Sequence, residues 1–211
     1  MSTKKITTIG VLCAMAMVTN LLISFPLVPA ASFLKYDPKD IIIVMGGFIY
    51  GPLTSFLMSF ICSILEIMFK GGNALDVLMN MVSTCTFACV AAYAYHKQHT
   101  KKGAIVGLIA GVIISAGVMC LWNYVITPIY YGWPREEVVA ILVPGILPFN
   151  LLKSGINAVI TLFLYKPFVN ILRHNNLANK NDDKANYGFV WVIIFICLSI
   201  ILFVLAKGGT I

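Results

Sequence analysis

Residues 104–127 read AIVGLIAGVIISAGVMCLWNYVIT, with no charged side chain anywhere in the run. An α-helix rises 1.5 Å per residue, so such a stretch crosses the ~30 Å hydrocarbon layer of a bilayer. Working outward, runs of the same kind occupy 6–25, 53–69, 75–95, 143–165 and 187–206, and a shorter one occupies 41–50. The composition agrees: 60% of the 211 residues are hydrophobic and 11% are charged, where a soluble domain carries about a quarter charged. The sequence therefore predicts an all-α integral membrane protein, with a membrane-embedded core of six helices and a seventh at the C-terminus. Residues 1–173 form the embedded domain, 174–186 a polar linker and 187–211 the additional helix. The spans leave no length for a soluble domain.

Prolines and glycines set the boundaries. Pro26 and Pro29 end the first run, Gly51-Pro52 turns the second into the third, and Lys70-Gly71-Gly72-Asn73 closes the third. Proline removes a backbone donor and clashes with the preceding turn, so Pro128 is expected to open a loop and Lys166-Pro167 to break the sixth helix. The 41–50 run is too short for a lipid-facing span and holds Gly46 and Gly47, which places it inside the bundle. Residues 6–25 follow Lys4-Lys5 in the manner of a signal peptide, but the run is long and lacks a small-residue cleavage site, so it reads as a retained first helix.

The net charge of +7 forms no basic stripe with interleaved aromatics, so nucleic acid is not an expected partner. The basic residues sit between apolar runs and read as topology, with attraction to anionic membrane lipid as a secondary effect. With the N-terminus in the cytoplasm, nine lysines and arginines (4, 5, 97, 101, 102, 166, 173, 180, 184) lie inside and five (35, 39, 70, 135, 207) outside. The bias predicts an N-in, C-out protein of a bacterial cell membrane. The residues unusual for a membrane then gather in the outer half, as expected of a ligand pocket open to the outside.

Enzyme signatures are missing. There is no G-x-x-x-x-G-K-[ST] phosphate loop, no G-x-S-x-G and no H-E-x-x-H, so neither ATP hydrolysis nor a known hydrolase chemistry is expected, and no cofactor or metal. Cys85 and Cys89 lie one helical turn apart, yet no His or acidic residue completes a metal site, and the cysteines read as small buried hydrophobes.

Polar side chains inside apolar helices are the informative ones, because a charge at mid-bilayer costs a few kcal/mol unless it faces a cavity or partner. Asn150 and Lys153 share a face by i, i+3 spacing, and Lys153 is the lysine set well inside a span. It is expected either to line a pocket or to pair with Glu66 or Asp40. Asn80 and Thr84 share another face, and each pocket role stands beside interhelical hydrogen bonding, as does that of Asn123. Tyr130, Tyr131 and Trp133 could stack on a flat ligand or form an interfacial belt. Gly10 and Ala14 make a small-x-x-x-small strip that lets a second helix approach closely, from a partner or from the same bundle.

Four segments in order, Leu34-Lys35-Tyr36-Asp37-Pro38-Lys39-Asp40, Tyr50-Gly51-Pro52-Leu53, Trp122-Asn123-Tyr124 with Thr127-Pro128-Ile129-Tyr130-Tyr131-Gly132, and Gly145-Ile146-Leu147-Pro148-Phe149-Asn150-Leu151-Leu152-Lys153, resemble the substrate-binding S components of energy-coupling factor (ECF) vitamin transporters, the riboflavin-specific group above all. The resemblance covers roughly 6–172. It implies a six-helix S component that binds its vitamin near the outer face and is no enzyme, working with a transmembrane coupling subunit and two cytoplasmic ATPase subunits. By the resemblance, substrate contacts would come from Lys35, Tyr36, Asp37, Asp40, Asn80, Asn123, Asn150 and Lys153, to which the reading of the residues adds Leu34, Thr84 and Tyr130, with Gly10 and Ala14 as the strip for the partner helix. Glu66 and the seventh helix depart from the family pattern. The alternatives are an S component for another heterocyclic vitamin or precursor, such as pyridoxine, a thiamine precursor or pantothenate, and an intramembrane lipid-modifying enzyme.

Overall fold

The computed structural model describes residues 3–174; the expected linker and seventh helix lie outside the described residues. The bundle comprises α1 (Thr3–Leu22), α2 (Lys39–Tyr50), α3 (Pro52–Lys70), α4 (Ala74–Gln98), α5 (Lys101–Tyr130), α6 (Arg135–Ile141) and α7 (Leu147–His174). Segments Thr3–Leu22, Pro52–Lys70, Ala74–Gln98, Lys101–Tyr130 and Arg135–Pro167 are long and apolar enough to cross a membrane. Their outer faces are apolar, with Val11, Ile113 and Phe163 more than half exposed, as lipid-facing side chains should be. The chain is a multi-pass membrane protein.

Helix α2 is the hub. All of its residues except Ile49 are buried, and it packs against α1, α3, α4 and α7. Twelve residues rise ~18 Å, so α2 needs protein around it rather than lipid. Its neighbours approach closely because the contacting residues are small. Where α4 crosses α5, a Cβ on Gly107 would lie 2.7 Å from the carbonyl oxygen of Ala91, and one on Gly111 2.8 Å from that of Phe87.

The turns follow their residue types. Gly71, at φ 79°, ends α3 in backbone space that glycine favours. Asn73 and Asp76 then form a reciprocal capping box that starts α4. Between α1 and α2 the chain makes a short antiparallel hairpin, β1 (Phe25–Pro26) and β2 (Lys35–Tyr36), with Phe25 opposite Tyr36.

Three proline expectations are corrected. Helix α5 continues past Pro128 to Tyr130, since a proline this near a helix end forfeits little of the hydrogen-bond ladder and the aromatic residues beyond it have packing partners. Helix α7 likewise runs through Pro167 to His174. The sixth span begins at Arg135 rather than near Val143, because residues Leu142–Ile146 widen into a π-helical turn around Pro144. There Leu147 N–H reaches back five residues to the Leu142 carbonyl, so a residue without an N–H is absorbed without ending the helix.

Replacing Gly107 with valine should wedge α4 from α5 and destabilise the bundle by about 1–3 kcal/mol, the usual cost of overpacking. The expected outcome is a lower thermal unfolding midpoint of the purified protein in detergent; an unchanged midpoint would show that the crossing is looser than described.

Candidate functional site

The functional side chains meet at the end of the bundle that carries the hairpin. Helix α2 begins there with Lys39 and Asp40, α3 ends there with Glu66 and Lys70, and the first turns of α4 bring Asn80 and Thr84. The π-helical turn sets the start of α7, so that Asn150 and Lys153 project into the same region.

Lys153 Nζ donates to Asp37 Oδ2 at 2.8 Å and lies 3.8 Å from Asp40 Oδ2. Asp37 Oδ1 is 3.7 Å from Lys39 Nζ. Lys39 in turn donates to Glu66 and, at 3.3 Å, to Asn80 Oδ1. Asn80 Nδ2 donates to Glu66 Oε2 at 3.1 Å, and Lys70 bridges Glu66 Oε1 at 3.2 Å and Asn20 Oδ1 at 2.6 Å. Thr84 Oγ1 donates to Asp40 Oδ1 at 2.7 Å, and the N-terminal end of the α2 dipole adds to the stabilisation of that carboxylate. Three lysines thus face three carboxylates in one connected network, drawn from α2, α3, α7 and the loop that follows the hairpin.

Asp37, on the loop, illustrates the balance of forces. Burial pushes its carboxyl upward, but the ammonium groups of Lys153 and Lys39 outweigh that and hold it down to about 2. Its charge is secure because its two partners are fixed by two different helices, α7 and α2.

Beside this network lies a cavity of about 200 Å³. Its polar lining comes from Lys35, Asp37, Glu66, Lys70, Asn80, Asn150 and Lys153. Leu34, Phe33, Met79, Met119 and Phe149 supply apolar wall. A mostly apolar hollow with a few convergent polar groups is the usual form of a small-molecule site.

Of the residues singled out from sequence, Leu34, Lys35, Asp37, Asn80, Asn150 and Lys153 line the cavity. The others are not among its lining residues. Tyr36 is buried and its hydroxyl donates to Asn157 Oδ1 at 3.0 Å, tying the hairpin to α7. Asp40 and Thr84 bond each other behind the wall. Asn123 is fully buried, donating to Met119 O at 2.7 Å and accepting from Thr127 Oγ1 at 3.0 Å. Tyr130 donates to Asp76 Oδ2 at 3.0 Å and packs edge-on against Tyr131. Tyr131 and Trp133 close around Phe33, with ring centroids 5.5 and 5.7 Å away, so these aromatics join the loop before α2 to the α5–α6 turn over the cavity.

Sequence reasoning left Lys39, Glu66, Lys70 and Asn20 out of the site. The i, i+4 spacing of Glu66 and Lys70 at the end of an apolar helix was a signal for two of them. Gly10 and Ala14 are exposed on α1, and a Cβ at Gly10 would meet nothing within 4 Å. Cys13, Cys62, Cys85 and Cys89 are buried, and the described residues hold no cluster of His, Cys, Asp or Glu suited to a metal ion.

A bundle of apolar helices with a cavity at one end, lined by both apolar and charged side chains, suits a membrane-bound ligand-binding subunit. Residues 4–165 match the family of ECF transporter, substrate-specific component, and the chain belongs to that family. It is 26% identical over 176 residues to the riboflavin transporter RibU of Staphylococcus aureus (strain TCH60), covering 81% of this chain and 93% of that one. It is 27% identical over 182 residues to the riboflavin transporter FmnP of Bacillus subtilis (strain 168), covering 80% and 95%. A solved structure, of the S component of a bacterial ECF transporter, superposes with a TM-score of 0.70 at 27% identity, covering 80% of this chain and 97% of that one.

Removing one side of a buried ion pair leaves the other uncompensated, which typically costs about 3–5 kcal/mol. Asp37→Ala should therefore lower thermal stability in detergent by that order, and Lys153→Met added to it should recover part of the loss. Equal stability of Asp37→Ala and the parent protein would remove the pair from any structural role.

Proposed function

We propose that this chain is the riboflavin-binding S subunit of an ATP-driven vitamin importer. The observation that carries the reading is the Asn150–Lys153 pair, held beside Asp37 and Asn80 in a cavity that also has an apolar wall of Met79, Met119 and Phe149. A flavin ring offers carbonyl and ring-nitrogen acceptors with one imide donor on its pyrimidine edge, and a hydrocarbon edge opposite. Lys153 and the amides of Asn80 and Asn150 suit the first, and Met79, Met119 and Phe149 suit the second. Leu34 and Lys35 cover the ligand from the loop, while Tyr36, Asp40, Thr84, Asn123 and Tyr130 hold these contacts in position from behind.

Pockets for drug-sized ligands run from ~300 Å³ upward, so a tricyclic ligand needs more room than the present cavity. The contacts of Phe33 with Tyr131 and Trp133 are the ones that yield on entry, because they join two loops rather than two helices.

The N-terminus lies in the cytoplasm and the cavity faces outside, following the distribution of lysine and arginine. Gly10 and Ala14 leave a smooth path on the exposed face of α1, suited to a helix of a transmembrane coupling subunit, and energy comes from two cytoplasmic ATPase subunits. Membrane lipid covers the remaining apolar face.

Protein purified in detergent should carry or take up riboflavin, with its fluorescence quenched. Lys153→Ala should weaken binding by about 1–3 kcal/mol, the loss of a charge-assisted hydrogen bond in a dry pocket. A folded protein that binds no riboflavin but binds pyridoxine, a thiamine precursor or pantothenate would transfer the site to that vitamin.

The strip has its own test. Ala14→Leu should leave riboflavin affinity within twofold and reduce co-purification with the coupling subunit by at least tenfold. Undiminished co-purification would place the coupling surface elsewhere.

A further inference from the structure

Glu66 lies between two lysines. Its side chain is 13% exposed and lines the cavity, with one carboxylate oxygen on Lys39 and Asn80 and the other 3.2 Å from Lys70. Around it the inner charges balance: Lys39, Lys70 and Lys153 are each within 4.0 Å of a carboxylate of Asp37, Asp40 or Glu66. Lys35 also lines the cavity but stands outside this set and is exposed, so water and salt screen it.

A balanced wall treats ligands unequally. A neutral polyol or heterocycle enters without meeting net charge. A phosphorylated ligand brings about −1.5 to −2 charges at neutral pH, finds Lys39 and Lys70 already engaged, and meets Glu66 and Asp37 as like charges where screening is weak.

We propose that Glu66 is a specificity-determining residue: by occupying Lys39 and Lys70 it keeps the inner charge network neutral and excludes the phosphorylated form of the ligand in favour of the free vitamin. This rests on the flavin reading above. Removing the carboxylate charge leaves the inner wall with one uncompensated positive charge and frees Lys70, the most accessible of its lysines at 30% exposed, to receive a phosphate. Glutamine at this position preserves shape and an acceptor for Lys39.

The test is a fluorescence-quenching titration of the full chain in detergent with riboflavin and with riboflavin 5′-phosphate. The parent protein is expected to bind riboflavin at least tenfold more tightly than the phosphate, and Glu66→Gln to shift that ratio at least tenfold toward the phosphate. Adding Lys70→Gln to Glu66→Gln restores the charge count and should return the ratio toward that of the parent. If Glu66→Gln does not fold, Lys70→Gln alone gives the opposite imbalance and should weaken phosphate binding further relative to riboflavin.

Equal binding of both ligands by the parent overturns the proposal. So does an unchanged ratio in Glu66→Gln that still binds riboflavin, a double variant that keeps the Glu66→Gln ratio, or an unchanged ratio in Lys70→Gln. A folded parent that binds neither flavin overturns the flavin reading itself, and this inference with it.

Discussion

The ion pair between Lys153 and Asp37 is the interaction on which the site depends. It joins α7, deep in the bundle, to the loop that follows the hairpin, and those are the two parts of the chain that must come together for a cavity to exist between them. In hydrocarbon neither charge is tolerable alone. Each makes the other's burial possible, and the 2.8 Å contact holds the loop over the cavity without a continuous hydrophobic interface. Tyr36, bonded to Asn157 one turn further along α7, reinforces the same connection.

From this pair the network extends in a way that couples structure to selectivity. Lys39 stands between Asp37 and Glu66, so the loop, α2 and α3 share one set of charges. Such a network stabilises the bundle less than hydrophobic packing of equal volume would, but it keeps polar groups at fixed positions beside a cavity, which an apolar core cannot do. The short α2 is what allows it. A full-length span would carry the first turn of the helix, with Lys39 and Asp40, beyond the depth at which α7 presents Lys153.

Small residues serve the fold in two different places. Inside, Gly107 and Gly111 bring α4 and α5 into backbone contact, closing the bundle around α2. Outside, Gly10 and Ala14 leave α1 smooth on a face that none of the described residues covers. The physics of close helix approach is the same at both, and only the three-dimensional arrangement separates packing within the bundle from a surface available to another subunit.

The sequence alone determined the membrane class, the number of embedded segments through 174 and their order, because an apolar run of about 20 residues has one stable use and glycine and proline mark its ends. It also carried the candidate polar residues, since any charge in such a run demands an explanation. The tertiary structure decided which of them share a cavity. Asn123 and Thr84 look as suitable as Asn150 and Asn80 in the sequence, and all four make hydrogen bonds within or between helices, yet of the four Asn150 and Asn80 line the hollow. Glu66 and Lys70 entered the site only when α3 was seen to end beside the start of α2. Helix rotation and depth decide such questions, and they are set by packing against neighbours distant in the chain, which local periodicity does not encode.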